Sequence, residues 1–68
     1  MTKQQARIII ALAHNGLSRK ATAESLSYHP NTIFYHITKI KKETGLDATD
    51  FFDMQTLFYM AQEVLTSV

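Results

Sequence analysis

The sequence predicts an all-α fold, organised as a single domain of about four helices. Its 68 residues are enough for one small domain and no more. Apolar residues recur at helical spacing, and no bounded stretch alternates apolar and polar residues as a half-buried strand would. The chain has no cysteine, so disulfides and thiolate metal sites cannot stabilise the core. Closely packed helices, or a second subunit, must supply that stability.

A first helix is expected to begin at Thr2 and to run through residue 13. The Thr2 hydroxyl can cap this helix, and Gln5 stands three residues later, as a capping box requires. The pair Asn15-Gly16 suits a left-handed C-terminal cap. Apolar residues at 8–10 and 12 cover more than one side of the helix. The helix is therefore expected to be sandwiched between two layers or paired with another chain.

Two helices joined by a tight turn are expected between Ser18 and Gly45. Ser18 caps a helix over 19–26, and a turn follows at 27–29. Pro30 fits the first position of the next helix, where its missing N–H costs nothing, and Gly45 ends that helix. This arrangement is a helix-turn-helix, in which one helix braces against DNA phosphates and the next lies in a major groove. We therefore expect a small helix-turn-helix bundle, one DNA-binding domain over residues 1–68 with its motif at about 18–45.

The fourth helix is expected at about 51–66. Asp50 and Asp53 flank its start, where carboxylates suit the positive end of the helix dipole. Its apolar stripe is wider than one small core needs, and each large side chain left in water forgoes about 2 kcal/mol. We predict that a homodimer, or packing on an upstream sensor domain, buries these side chains. The residues that lie beside the stripe are Phe51, Phe52, Tyr59 and Met60.

Charge is distributed unevenly along the chain. Residues 1–42 carry seven basic residues and one acidic residue, whereas residues 43–68 carry five acidic residues and no basic one. The formal net charge of +1 therefore conceals a positive and a negative pole, and the positive pole suits phosphates. The alternative is an ordinary solvated surface on which the charges happen to segregate.

The third helix has an inward apolar stripe and an outward polar side. Ile33, Ile37 and Ile40 fall at i, i+4 and i+7 and are expected to face the core. An amide at the start of the opposite side can pair with the N6 and N7 atoms of adenine, and a lysine one turn further on reaches the backbone. The candidate contacts on this helix are Asn31, Thr32, Tyr35 and Lys39, with His36 on the flank.

The start of the second helix adds charge and free backbone amides for a phosphate. Its candidate residues are Ser18, Arg19 and Lys20. Each assignment has a structural alternative, because Asn31 and Thr32 are common local caps. Lysines near a helix C-terminus also favour its dipole whatever the partner is. The combination of these groups on one surface favours double-stranded DNA as the partner.

The sequence pattern does not indicate catalysis, a cofactor or a membrane-spanning segment. The sequence shows no paired carboxylates, no nucleophile beside a base and no glycine-rich phosphate loop. No two of the three histidines are spaced i, i+4, and no cysteine accompanies them, so a metal site is not expected. The apolar run at 8–13 is too short to span a bilayer. We expect a non-enzymatic cytoplasmic protein of bacterial type, or a domain cut from one, associated with the nucleoid when it is bound to DNA.

An ordered motif covers the third helix and the residues after it. It reads H-x-N-T-I-x-Y-x-I-x-K-I over 29–40 and continues as T-G-L-D over 44–47. From about Ser18 to Ala61 the chain resembles the C-terminal helix-turn-helix of the PucR and carbohydrate-diacid-regulator (CdaR) family of bacterial transcription factors. The resemblance implies sequence-specific DNA binding, usually as a dimer, with transcription controlled by a separate sensor domain.

The resemblance implies DNA contacts at the matched positions. These are His29, Asn31, Thr32, Tyr35 and Lys39, with His36 as a provisional member. The family places arginines where this chain has Pro30, Phe34 and His36. The loss of these positive charges weakens the phosphate contribution to affinity. Phe34 favours an apolar contact, either with a thymine methyl group or with another protein. Since histidine is charged only at mildly acid pH, His36 would make binding sensitive to pH.

Two functions remain open from the sequence. The first is the DNA-binding domain of a transcriptional regulator, which reads duplex DNA through the helix that begins near Pro30. The second is a protein-interaction or dimerisation module that keeps the helix-turn-helix fold without binding DNA. The excess of apolar residues on the first and fourth helices, together with Phe34, motivates the second interpretation.

Overall fold

Four α-helices make up the fold of residues 1–67, which are the part of the chain that the computed structural model describes. Their bounds are α1 Lys3–His14, α2 Arg19–Leu26, α3 Pro30–Thr44 and α4 Phe51–Thr66. These residues contain no strand, and the predicted all-α bundle is confirmed. Val68, the last residue of the expected domain, lies outside the described residues.

Short polar side chains fix where the helices begin. The backbone N–H of Gln5 donates to the Thr2 hydroxyl, and the Thr2 N–H donates to the Gln5 side chain, each at 3.0 Å. The predicted capping box is therefore present. The Ser18 hydroxyl caps α2, and the Asp50 carboxylate accepts the backbone N–H of Asp53 at 2.9 Å. These groups satisfy N–H groups that have no partner inside a helix.

Left-handed residues end three of the helices. Gly16 follows the end of α1 at φ +63°, and Gly45 ends α3 at φ +78°. Leu17 and Ser27 also lie at positive φ, at +65° and +58°. A side chain is strained in this conformation. The tight turn between α2 and α3 therefore uses Ser27, rather than a glycine, at its left-handed position.

Helix α1 is the centre of the bundle. It packs against each of the other three helices, and α2 also packs against α3. Within the described residues the backbone of α4 packs closely on that of α1 and does not come close to the backbone of α2 or α3. Of the two alternatives left open for this helix, α1 is sandwiched between layers of its own chain. Its side chains Ile8, Ile9 and Leu12 are accordingly fully buried.

The isoleucine stripe of α3 faces the core as expected. Ile33 and Ile40 are almost completely buried, and Ile37 keeps 7% of its surface exposed. All three belong to one apolar cluster with the buried residues of α1 and α4. Their burial fixes the rotation of α3 about its axis. The side of α3 opposite the stripe consequently faces solvent.

We expect Gly45→Ala to lower the free energy of unfolding by about 1 kcal/mol. No atom lies within 4 Å of the added Cβ, so the cost comes from the backbone at φ +78° alone. Urea denaturation monitored by circular dichroism measures the change. Ser27→Gly is the converse control, because it removes a side chain from the same conformation and should not destabilise the domain to that extent. An unchanged unfolding free energy for Gly45→Ala would contradict this assignment.

Candidate nucleic-acid interface

The outer side of α3 carries a row of exposed polar side chains. Asn31, Tyr35 and Lys39, which the sequence indicated, are all exposed, and so is Lys42. Thr38 is exposed beside them and was missed as a candidate. It lies seven residues after Asn31, so helical spacing alone would have found it. These groups offer an amide, two hydroxyls and two ammonium groups on one surface.

The start of α2 lies beside this row. Ser18, Arg19 and Lys20 are exposed, as a phosphate-contacting element requires. The Arg19 guanidinium carbon lies 5.6 Å from the centre of the Phe34 ring on α3, a cation–π distance. The Ser18 hydroxyl accepts the backbone N–H of Ala21 at 3.1 Å, so it already has a capping role. The contact between Arg19 and Phe34 brings the positive charge of Arg19 against the α3 surface.

Tyr35 forms a small cluster with its neighbours on α3. The Lys39 ammonium lies 5.8 Å from the centre of the Tyr35 ring. The His36 ring lies edge-on to the same ring, with the centroids 5.1 Å apart. The Tyr35 ring therefore lies beside the Lys39 ammonium, and the Lys39 side chain remains exposed to solvent.

Two candidates, His29 and Thr32, are less available for contacts than the residues of the exposed row. His29 is the N-cap of α3, and its Nδ1 accepts the backbone N–H of Asn31 at 3.0 Å. Its ring is otherwise exposed, so a further contact would use Nε2. Thr32 is only half-exposed, on the flank of the row. Both residues therefore lie at the edge of the candidate interface, near the start of α3.

His36 is half-buried on the same flank of α3 as Thr32, one turn further along the helix. Its Nδ1 atom is buried and has no hydrogen-bond partner within residues 1–67. Burial lowers the pKa of the imidazole, and the positive charge of Lys39 lowers it further. The ring is therefore neutral near pH 7 and adds no charge to the interface there.

A shallow groove separates the start of α2 from α3 and the loop after it. Its lining includes Arg19, Phe34, Lys41 and Asp47. Hydrogen bonds from Thr49 to the Asp47 carboxylate lower its pKa, and Lys41 and Arg19 lower it further. The Lys41 ammonium lies 4.0 Å from that carboxylate. The groove is thus a mixed surface of one aromatic ring, two cations and one paired carboxylate.

The described part of the chain contains neither a cluster of metal-ligating side chains nor a membrane-spanning helix. No group of three or more histidine, cysteine, aspartate or glutamate residues within 1–67 could hold a metal ion. Among the same residues, no helix is both long and apolar enough to cross a membrane.

We expect the His36 ring to titrate below the ordinary histidine value of about 6.5. The unfolded chain then takes up this proton at a higher pH than the folded domain does. The contribution of His36 to the free energy of unfolding is therefore complete above the pKa of the unfolded chain. It is lost as the pH falls from that pKa through the lower pKa of the folded domain. Proton NMR of the imidazole measures the pKa directly.

Lys39→Ala tests the cause of this shift. Removal of the neighbouring charge should raise the His36 pKa only in part, because burial remains. A His36 pKa at or above that of a free histidine in the native domain would overturn the assignment.

Comparison with known families identifies the fold. The family model of the PucR C-terminal helix-turn-helix domain matches residues 6–62. That range contains α2 and α3 entirely, and most of α1 and α4. No curated protein and no solved structure matches the chain. The suspected resemblance is confirmed, and the chain belongs to the PucR C-terminal helix-turn-helix domain family.

Proposed function

We propose that this domain binds duplex DNA through α3, as the DNA-binding part of a transcriptional regulator. One observation carries the proposal: the polar side of α3 is open to solvent, while α4 packs on α1 and leaves it uncovered. Family membership supports the same role. In a helix-turn-helix, an uncovered second helix of this kind is the element that enters the major groove.

The exposed groups divide into base-reading and phosphate-binding sets. Asn31 lies in the first turn of α3 and has the amide geometry that matches adenine. Arg19 and Lys20, at the start of α2, are exposed and would bind phosphates on one side of the groove. Lys39 and Lys42 lie further along α3. They supply positive charge for phosphates toward the C-terminal end of that helix. Tyr35 and Thr38 lie between the two sets and offer hydroxyl groups to either.

The exposed aromatic side of α4 favours a second, protein-binding role. Phe52 is 75% exposed and Tyr59 is 72% exposed, one above the other at i, i+7. Phe51, 61% exposed, lies edge-on to Phe52 with the ring centroids 5.4 Å apart, and apolar side chains exposed as a group mark protein-interaction surfaces. We infer that α4 pairs with a second copy or with an upstream sensor domain. Because the backbone of α4 packs on α1 and not on α3, such pairing would leave the exposed side of α3 free for DNA.

These proposals together define a cellular role. A dimer that joins through α4 would present two copies of α3 to successive major grooves. We place this activity in the bacterial cytoplasm, at the nucleoid. The family is generally non-enzymatic, and we assign the domain no reaction, metal or cofactor.

DNA binding is tested by titration of random and then selected duplexes at several salt concentrations. Affinity should fall steeply as salt rises, because each neutralised phosphate releases counterions. Lys39→Ala should reduce the salt slope by about one and weaken binding to every sequence alike. Asn31→Ala should instead relax the preference at a single base and lose about 1–3 kcal/mol there. Gln4→Ala, an exposed amide on α1, is the matched control. Absence of binding at low ionic strength would refute the proposal.

Oligomeric state tests the α4 surface separately. We expect the isolated domain to sediment as a concentration-dependent dimer, and Phe52→Glu to shift it toward monomer. Gln4→Glu introduces the same charge on α1 and should leave the distribution unchanged. A wild-type domain that stays monomeric at high concentration would exclude self-association through α4 and leave the sensor domain as its partner.

A further inference from the structure

Phe34 is an exposed aromatic ring of α3, beside the start of α2, that the proposed roles do not use. It lies in the second turn of α3 and keeps 55% of its surface exposed. It is three residues after Asn31 and four before Thr38, so it borders the exposed row on the side nearest α2. A large apolar group at this position on a reading helix needs an apolar partner in the complex.

The surroundings of Phe34 favour an anionic partner. Arg19 lies over its ring at 5.6 Å, and Lys41 lines the same groove. Within the described residues Arg19 makes no ion pair, whereas Asp47 is paired with Lys41 at 4.0 Å. A protein partner with an apolar surface would have to desolvate these charges without neutralising them. A nucleic acid offers phosphates to the cation and base edges to the ring.

We propose that Phe34 selects thymine by contacting its 5-methyl group in the major groove. This inference rests on the proposed DNA binding and adds the identity of one base. The 5-methyl group of thymine is the apolar feature of the major-groove base edges, and phenylalanine is among the side chains that contact it. Arg19, held on the ring, is placed to bind a phosphate beside that thymine.

The cation–π contact makes Phe34 a positioning residue as well. An arginine pays conformational entropy when it is fixed for a phosphate, and contact with the ring restricts the guanidinium beforehand. Loss of the ring should therefore weaken the Arg19 phosphate contact in addition to the base preference. These two effects are separable, because one depends on salt and the other on a single methyl group.

Single replacement of thymine by deoxyuridine provides the test, since it removes the methyl group and leaves the pairing unchanged. The duplex is the one selected by the wild-type domain from a random pool, and each thymine is replaced in turn. At one position per half-site the replacement should weaken wild-type binding by about fourfold, which is the effect of one methyl-sized group leaving an apolar contact. Fluorescence anisotropy measures the dissociation constants.

Variants at position 34 identify the residue responsible. Phe34→Ala should bring the thymine-to-uracil ratio at that position to one and should reduce the salt slope. Phe34→Arg should also abolish the ratio, because arginine pairs with guanine O6 and N7 instead. Gln4→Ala, an exposed residue of α1 outside both proposed surfaces, should leave the ratio at about fourfold. Circular dichroism confirms that each variant folds.

The outcomes distinguish the thymine contact from the proposed DNA binding on which it rests. Binding by the wild type with equal affinity for every uracil-substituted duplex would contradict the thymine contact and leave DNA binding standing. A thymine preference that survives in Phe34→Ala would assign it to another side chain and also overturn the proposal. Failure of the wild type to bind any duplex at low ionic strength would remove both.

Discussion

Burial of three isoleucines on α3 is the constraint on which the rest of the molecule depends. Ile33, Ile37 and Ile40 belong to the cluster centred on α1. A rotation of α3 by one residue would expose them, and each exposed side chain would cost about 2 kcal/mol, a large share of the stability of so small a domain. The position of every polar group on the outer side of α3 is therefore set by apolar groups on its inner side. In this way packing energy determines which surface meets a partner.

Local chemistry made the helices predictable, whereas contacts between helices were not. Thr2, Ser18 and Asp50 act through neighbours at most three residues away, so the sequence alone located the helix starts. The contact between Arg19 and Phe34 depends on how α2 crosses α3, and no local pattern encodes that crossing. The same is true of α1, whose apolar residues fitted two arrangements until its packing against three helices decided between them.

The candidate interface was predictable in composition and less so in detail. Helical spacing located Asn31, Tyr35 and Lys39 on the exposed side. The same spacing assigns Thr38, seven residues after Asn31, to that side. The partial occupation of His29 by helix capping follows from its place before Pro30, where a side-chain acceptor has a free N–H to bind. The burial of one nitrogen of His36 depends on the flank that it occupies, which only the assembled bundle defines.

The central claim is that DNA meets the start of α2 and the outer side of α3. Titration of the isotopically labelled domain with its selected duplex, followed by amide chemical shifts, tests it most directly. We predict that the largest changes fall at residues 18–20 and 29–42, with little change along the exposed side of α4. Changes concentrated on α4, with the amides of α3 unaffected, would contradict this account and assign nucleic-acid binding to a different surface.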